Sequence, residues 1–227
     1  MGRVTRYTRT GDAAWGTPSR ASARMGENAA AGPVRNIGKT CPEHDSAGPV
    51  RGYIKLSDAA KAFRYDFRGK TVLDIGSSTG GFTEYALDHG ATKVIAVEKG
   101  TNQMKSPLRF NPRIELHEKT DIFDFELSNE INTIVADVSF ISLKPILKYT
   151  KRKNIDYLVM LKPQFEAKPN ELNKGVVKNN KIRRDIIKNF EQWLKDNDFI
   201  IINKHDNDLK GKTGNEERFY LLKTLAN

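Results

Sequence analysis

The sequence predicts a doubly wound α/β sheet, on three observations. Short, nearly continuous apolar runs recur from Thr71 onward, the pattern of strands buried on both faces. Most of these runs are separated by stretches long enough for a helix, so strands alternate with helices. The last two runs follow one another with no helix between them. That spacing predicts a closing hairpin, hence an antiparallel edge.

Leu56–Phe63 reads as a short opening helix, and Thr71-Val72-Leu73-Asp74-Ile75 as the first strand. A Gly/Ser loop and a helix to about His89 follow. Lys93–Val97, Arg113–His117 and Ile131–Ala136 are the next strands. A helix from about Leu143 leads into Tyr157–Leu161, the fifth strand. Lys181–Asp196 is a longer helix, because Ile182, Ile186, Ile187, Phe190 and Leu194 recur at helical spacing and share one face. Phe199–Ile202 and Arg218–Leu222 close the chain as strands.

Met1–Val50 is different. It is rich in Gly, Ala, Ser, Thr, Arg and Pro and shows neither apolar period. Ala31-Gly32-Pro33-Val34-Arg35 recurs as Ala47-Gly48-Pro49-Val50-Arg51, the chain's one internal repeat. So few large apolar groups do not offset the entropy of ordering, which predicts a disordered or appended arm over residues 1–50 and one folded domain over 51–227. Seven basic against four acidic residues leave the arm mildly positive.

The whole chain has 227 residues, 29% of them charged, and a formal charge of +10, which favours a polyanionic partner, either nucleic acid or an anionic membrane surface. No run approaches the ~18 apolar residues of a spanning helix, so membrane insertion is excluded. The N-terminus lacks the apolar core of a secretory signal. A single cysteine, Cys41, excludes a disulfide framework. His44, His89, His117 and His205 are scattered, so no metal site is expected. These features predict a soluble, cytoplasmic chain and carry no signal for oligomeric state.

Asp74-Ile75-Gly76-Ser77-Ser78-Thr79-Gly80-Gly81-Phe82 joins the first strand to its helix, where open parallel sheets bind ligands. Such turns also form for packing alone. Here the glycines cluster behind Asp74, and Glu98 ends the second strand, which together favour a ligand. The loop lacks both the Gly-x-Gly-x-x-Gly of dinucleotide folds and the Gly-Lys-Ser/Thr of a P-loop. An Asp-led loop suits a positively charged ligand such as S-adenosylmethionine. Glu98 suits two ribose hydroxyls, and Asp121 an adenine amino group. S-adenosylmethionine is therefore expected over NAD. Asp137-Val138-Ser139-Phe140-Ile141-Ser142 follows the fourth strand and Lys162-Pro163-Gln164-Phe165-Glu166 the fifth, bringing a carboxylate and an ammonium to the same rim. Lys55 precedes the first strand and Glu217 begins the last.

Together with Arg51-Gly52-Tyr53-Ile54-Lys55-Leu56, Lys174-Gly175-Val176-Val177 and Gly214-Asn215-Glu216-Glu217-Arg218-Phe219, these strings resemble the FtsJ-type 2′-O-ribose methyltransferases. Within them the resemblance is to the TlyA-type (haemolysin A-like) ribosomal RNA enzymes. It runs in family order from about Arg51 to the C-terminus, roughly three quarters of the chain. The resemblance implies a Rossmann-like seven-stranded methyltransferase sheet with an antiparallel last strand. It also implies a catalytic set on Lys55, Asp137, Lys162 and Glu217, with Glu216 lying beside the last. The cofactor set is then Asp74, Gly76, Ser77, Ser78, Gly80, Gly81, Phe82, Glu98, Asp121 and Asp137. The implied substrate is RNA, specifically ribosomal RNA in ribosomal subunits. Two features depart from the family. Its N-terminal S4-type RNA-binding domain has no counterpart in Met1–Val50, and its Ser-Arg-Gly-Gly is Val50-Arg51-Gly52-Tyr53 here, which alters the local loop.

A ribose hydroxyl is a poor nucleophile at neutral pH, so the site must orient it and manage its proton. Lys162 is the expected centre, as base or as a cation for the developing alkoxide. Asp137 and Glu217 would hold lysine geometry, and Lys55 would steer the hydroxyl or a phosphate. Between Lys144 and Lys195 there are 14 basic and 5 acidic residues. The cluster Lys178, Lys181, Arg183, Arg184 and Lys188 is expected to meet phosphates, and Phe140, Phe165 and Tyr53 could stack on a splayed base. An exocyclic-amine methyltransferase would carry Asn/Asp-Pro-Pro-aromatic where Asp137-Val138-Ser139-Phe140 stands. A non-catalytic ribosome-assembly factor would have lost parts of the catalytic set, and a membrane-active haemolysin would need an apolar segment.

Overall fold

The computed structural model describes residues 50–207, 209 and 214–225. The arm expected before Val50, with its repeat, Cys41 and His44, lies outside them. In chain order the elements are α1 (Arg51–Phe63), β1 (Thr71–Ile75), α2 (Gly81–Asp88), β2 (Lys93–Glu98), β3 (Ile114–Glu118), β4 (Thr133–Ala136) and α3 (Leu143–Thr150). Then come β5 (Asp156–Leu161), α4 (Pro163–Glu166), β6 (Leu172–Asn173), β7 (Val176–Val177), α5 (Asn180–Asp196), β8 (Phe199–Asp206) and β9 (Arg218–Thr224).

Seven strands form one sheet in the order β3-β2-β1-β4-β5-β9-β8, and β6 pairs with β7 in a separate ribbon. The sheet is parallel except for β9, which runs antiparallel to both of its neighbours. The two faces are covered by different helices. On one, Ile146 and Leu147 of α3 and Ile187, Phe190 and Leu194 of α5 pack against Leu73, Ile95 and Ile134. On the other, Leu56 and Ala59 of α1 and Phe82, Tyr85 and Ala86 of α2 pack against Val72, Val94 and Val135. Alternate residues of each strand serve opposite faces, so the inner strands β4 and β5 are apolar through almost their whole length, as a two-sided sheet requires.

The expected antiparallel hairpin closes the sheet at its edge, with the last strand, β9, inside and β8 outermost. Phe219-Tyr220-Leu221-Leu222 is buried throughout and fits an internal position, whereas β8 turns polar at Asn203 and becomes the outermost strand. The opening helix begins at Arg51, not Leu56, so the stretch expected as a loop is helical. Gly52 argues locally against helix. It is tolerated because α1 crosses α2 there: a Cβ built on Gly81 would lie 2.6 Å from the Tyr53 nitrogen and 2.9 Å from Gly52 Cα.

β1 lies between β2 and β4, so successive connections leave it in opposite directions. That is the switch point where open sheets form a crevice at their carboxyl ends. β9 contributes there too. Being antiparallel, it places its amino end beside the carboxyl end of β5, with Leu161 opposite Arg218.

Candidate active site

The ladder ends at that pair, and the residues flanking it, Lys162 after β5 and Glu217 before β9, lie at the rim. Lys162 Nζ lies 2.5 Å from Asp137 Oδ1 and donates to Ser139 Oγ at 2.8 Å. Glu217, 3% exposed, accepts from the ammonium of Lys55, 5% exposed, through Oε2. The four residues of the expected catalytic set therefore come from four elements and form two ion pairs at one edge. Glu216, the neighbouring alternative, is the more exposed of the two and sits 3.6 Å from Arg183. Burying Lys55 and Glu217 is tolerable only because each neutralises the other.

The loop between β4 and α3 is held in a definite shape. Phe140 has φ +64° and is 93% exposed, an unusual state for a bulky side chain. Two hydrogen bonds from Glu166 stabilise the loop's far end. Its carboxylate accepts from Ser142 Oγ and from the Leu143 backbone nitrogen, each at 2.7 Å. Ser142 in turn caps α3 by accepting from the Lys144 nitrogen. Glu166 thus ties the segment carrying Asp137, Ser139 and Phe140 to the segment carrying Lys162 and Phe165. The rings of Phe140 and Phe165 lie 5.3 Å apart, and Lys162 Nζ is 5.9 Å from the Phe165 ring centre.

Beside this rim is a cleft of about 620 Å³ along the ends of β1 to β4. Of the residues expected to hold a cofactor, Gly76, Ser78, Glu98, Asp121 and Asp137 line it. Gly76 has φ +77° and lies against the Asp137 carbonyl, so a Cβ there would meet that oxygen at 3.1 Å. Glu98 accepts from the backbone nitrogens of Ser78 and Gly100 and from Gln103 Nε2. Asp121 accepts from the Phe123 nitrogen and pairs with Lys99 at 2.9 Å. These contacts hold its carboxyl below the ordinary carboxylate range, the Lys99 bond contributing most.

The other expected cofactor residues lie behind the cleft. Gly80, at φ +93°, is closed in by Leu108 and Met104, and Gly81 by α1. Ser77 is buried, and Phe82 is core, its ring 5.9 Å from Phe219. Asp74 lies beneath the loop and accepts from Thr83 Oγ1 at 2.6 Å, anchoring α2. Its other oxygen has no hydrogen-bond partner. Burial, followed by the nearby carboxylates of Asp137 and Glu98, pushes its carboxyl up to about 7 against the opposing bond from Thr83. Sequence reasoning missed Lys99 and Gln103, which complete the cleft wall, and Ser139 and Glu166, which were inside recognised strings without a role.

A largely apolar cleft of this size, with two carboxylates on adjacent strand ends and a glycine cradle, fits a nucleoside-bearing ligand such as S-adenosylmethionine. Residues 49–224 match the FtsJ-like methyltransferase family. The 23S rRNA (cytidine-2′-O)-methyltransferase TlyA of Campylobacter jejuni is 37% identical over 75% of this chain and 68% of its own length. Hemolysin A of Brachyspira hyodysenteriae is 37% identical over 72% of this chain and 71% of its own. Among solved structures, a hemolysin-named chain from Streptococcus thermophilus superposes with a TM-score of 0.75 at 30% identity, covering 82% of this chain and 70% of that one. The sheet order, the paired lysines at its carboxyl edge and these relationships lead to one conclusion: the chain belongs to the FtsJ-like methyltransferase family.

Proposed function

We propose that this protein transfers a methyl group from S-adenosylmethionine to a ribose 2′-hydroxyl of ribosomal RNA, with residues 51–227 as the catalytic domain. The observation that carries the reading is the pair of lysine–carboxylate contacts converging on one rim beside a nucleoside-sized cleft. When bound, S-adenosylmethionine supplies a methyl carbon activated by its positive sulfur. Glu98 and Asp121 would hold its ribose and adenine by accepting hydrogen bonds, and Gly76 lets it approach the backbone.

The chain's own residues then act on the RNA. Lys162 forms an ion pair with Asp137, donates to Ser139, and would direct a remaining N–H toward the 2′-oxygen. Asp137 fixes that direction. With S-adenosylmethionine bound as methyl donor, Lys162 and Asp137 would hold the 2′-oxygen in line with the donor, and the hydroxyl proton would leave to solvent. Lys162 steadies the negative charge that develops on oxygen, an effect worth about 10²-fold or more in rate when the donor is pre-positioned. Lys55, held by Glu217, adds a second fixed cation at the rim, aimed at the hydroxyl or its phosphate. Phe140 offers an exposed face on which the target base stacks. The reading sets the protein with ribosomal RNA in the cytoplasm. Among the described residues no helix is long and apolar enough to cross a membrane.

The test is transfer of labelled methyl from S-adenosylmethionine to ribosomal subunits, followed by nucleoside analysis. Label is expected on 2′-O-methylated ribose and to fall at least ~10²-fold in Lys162→Ala. Label on a base, or undiminished in the variant, contradicts the proposal. RNA binding without any transfer would favour the assembly-factor reading.

A further inference from the structure

Between α4 and α5 the chain makes a feature that the proposed methyl transfer does not use. β6 and β7 pair Leu172 with Val177 and Asn173 with Val176, joined by a two-residue turn of Lys174 and Gly175. Both turn residues are left-handed, at φ +48° and +79°. Glycine meets that requirement without cost, but a lysine there is an outlier that places a charged side chain at the hairpin tip. The ribbon is fixed to the catalytic strand by Asn215, which is buried. It accepts from the Val177 nitrogen at 3.1 Å and donates to the Gly175 carbonyl at 3.0 Å. Asn215 stands two residues before Glu217.

The ribbon and the helix that follows it present Lys174, Lys178, Lys181 and Arg184 to solvent. None of the four is in an ion pair among the described residues. Their neighbour Arg183 is different. It is mostly buried and its guanidinium reaches Asp206 at 2.7 Å, so it is a structural strut and not the phosphate contact its sequence position suggested. Glu171 is engaged locally by the Lys168 backbone nitrogen, leaving Asp185 as the exposed acid of this stretch.

We propose that the Leu172–Val177 ribbon and the first turns of α5 form a grip for the phosphate backbone of the RNA strand that carries the target ribose. This rests on the reading of RNA as substrate and names the surface that holds it. Four cations without an ion pair among the described residues, on a hairpin and helix start joined through Asn215 to the segment that presents Glu217, set the RNA at a fixed distance from the catalytic rim. Phosphate contacts of this kind position without reading sequence.

The experiment measures equilibrium binding of purified ribosomal RNA to the full chain as a function of salt, without turnover. The test variant combines Lys174→Ala, Lys178→Ala and Lys181→Ala. The control combines Lys61→Ala, Lys148→Ala and Lys195→Ala, which removes the same charge near the opposite ends of the helices. The grip predicts that the slope of log affinity against log salt falls by about two in the test variant, since each lost phosphate contact removes ~0.7–0.9. Affinity at moderate salt should fall at least tenfold, with the control near wild type. S-adenosylhomocysteine affinity and thermal midpoint should be unchanged in both. Equal losses in test and control variants, or an unchanged slope in the test variant, overturn the grip. A wild type that binds RNA through this surface yet transfers no methyl leaves the grip standing and removes the transferase reading. A wild type that binds no RNA overturns both.

Discussion

Glu216 and Glu217 are adjacent and chemically identical, and only their surroundings separate them. Glu217 is buried against Lys55, whereas Glu216 is more exposed and 3.6 Å from Arg183. Replacing Glu217 by Gln leaves a buried ammonium without its countercharge, a change that costs about 3–5 kcal/mol in comparable buried pairs. Methyl transfer should drop at least ~10²-fold in Glu217→Gln and stay within about twofold in Glu216→Gln, measured as kcat/KM for RNA. Equal effects would remove Glu217 from the site. Asp74 makes a second prediction, through pH. Its folded carboxyl titrates near 7, above the ordinary value, so the folded state prefers it protonated. That preference is fully present below about pH 4 and is lost as pH rises through about 7. The thermal midpoint should therefore fall between pH 5 and 8, and Asp74→Asn should flatten that fall. The strongly paired Asp66 and Asp206 titrate near 2 and do not interfere in this window. The sequence singled out Asp74 for a cofactor, and the structure shows it buried beneath the loop with one oxygen on Thr83; no local string reveals that second partner.

At the scale of elements, the contact between α1 and α2 decides whether Lys55 reaches the rim. Gly81 and Gly52 touch backbone to backbone, and any side chain on Gly81 would strike main-chain atoms that cannot rotate away. Gly81→Ala should therefore push α1 outward and carry Lys55 with it. A stability loss of about 1–3 kcal/mol is expected, typical of overpacking, with a larger proportional loss of methyl transfer. Thermal unfolding and kcat measured together check this; a stable variant with full activity would show that α1 adjusts freely. The same contact explains what the sequence concealed. Strands and the long helix were legible because burial on both faces, or on one helical face, leaves a period in the residue order. The start of α1 was not, since a glycine inside a helix opposes the local preference and is explained only by a partner elsewhere in the chain. The β6–β7 ribbon was likewise too short to leave a period, although its Lys-Gly turn was present in a recognised string. The internal position of β9 was readable in principle from its unbroken burial, set against the polar second half of β8.

Across the whole molecule, the antiparallel insertion of β9 turns a cofactor crevice into a two-sided site. An all-parallel edge would end in strand carboxyl termini alone. With β9 reversed between β5 and β8, Glu217 arrives at that edge from its strand's amino end, and Asn215 brings the cationic ribbon with it. Lys162 then stands between two different environments. On one side is the cleft with Glu98 and Asp121, whose contacts with a bound nucleoside would be short-range and directional. On the other are exposed lysines that form no ion pair among the described residues, whose attraction for RNA is long-range and mediated by displaced ions. A net charge of +10 strengthens the second interaction and contributes little to the first. The two affinities should therefore separate with ionic strength. Between about 50 and 200 mM salt, with four phosphates engaged, apparent affinity for RNA should fall on the order of 10²-fold. The dissociation constant of S-adenosylhomocysteine should change by less than about twofold over the same range, because hydrogen bonds inside a cleft are weakly screened. Calorimetry for the cofactor product and salt-dependent binding for RNA measure the two independently. Parallel salt sensitivity would mean that one electrostatic surface serves both ligands, and the division of the rim into a cofactor side and an RNA side would be wrong.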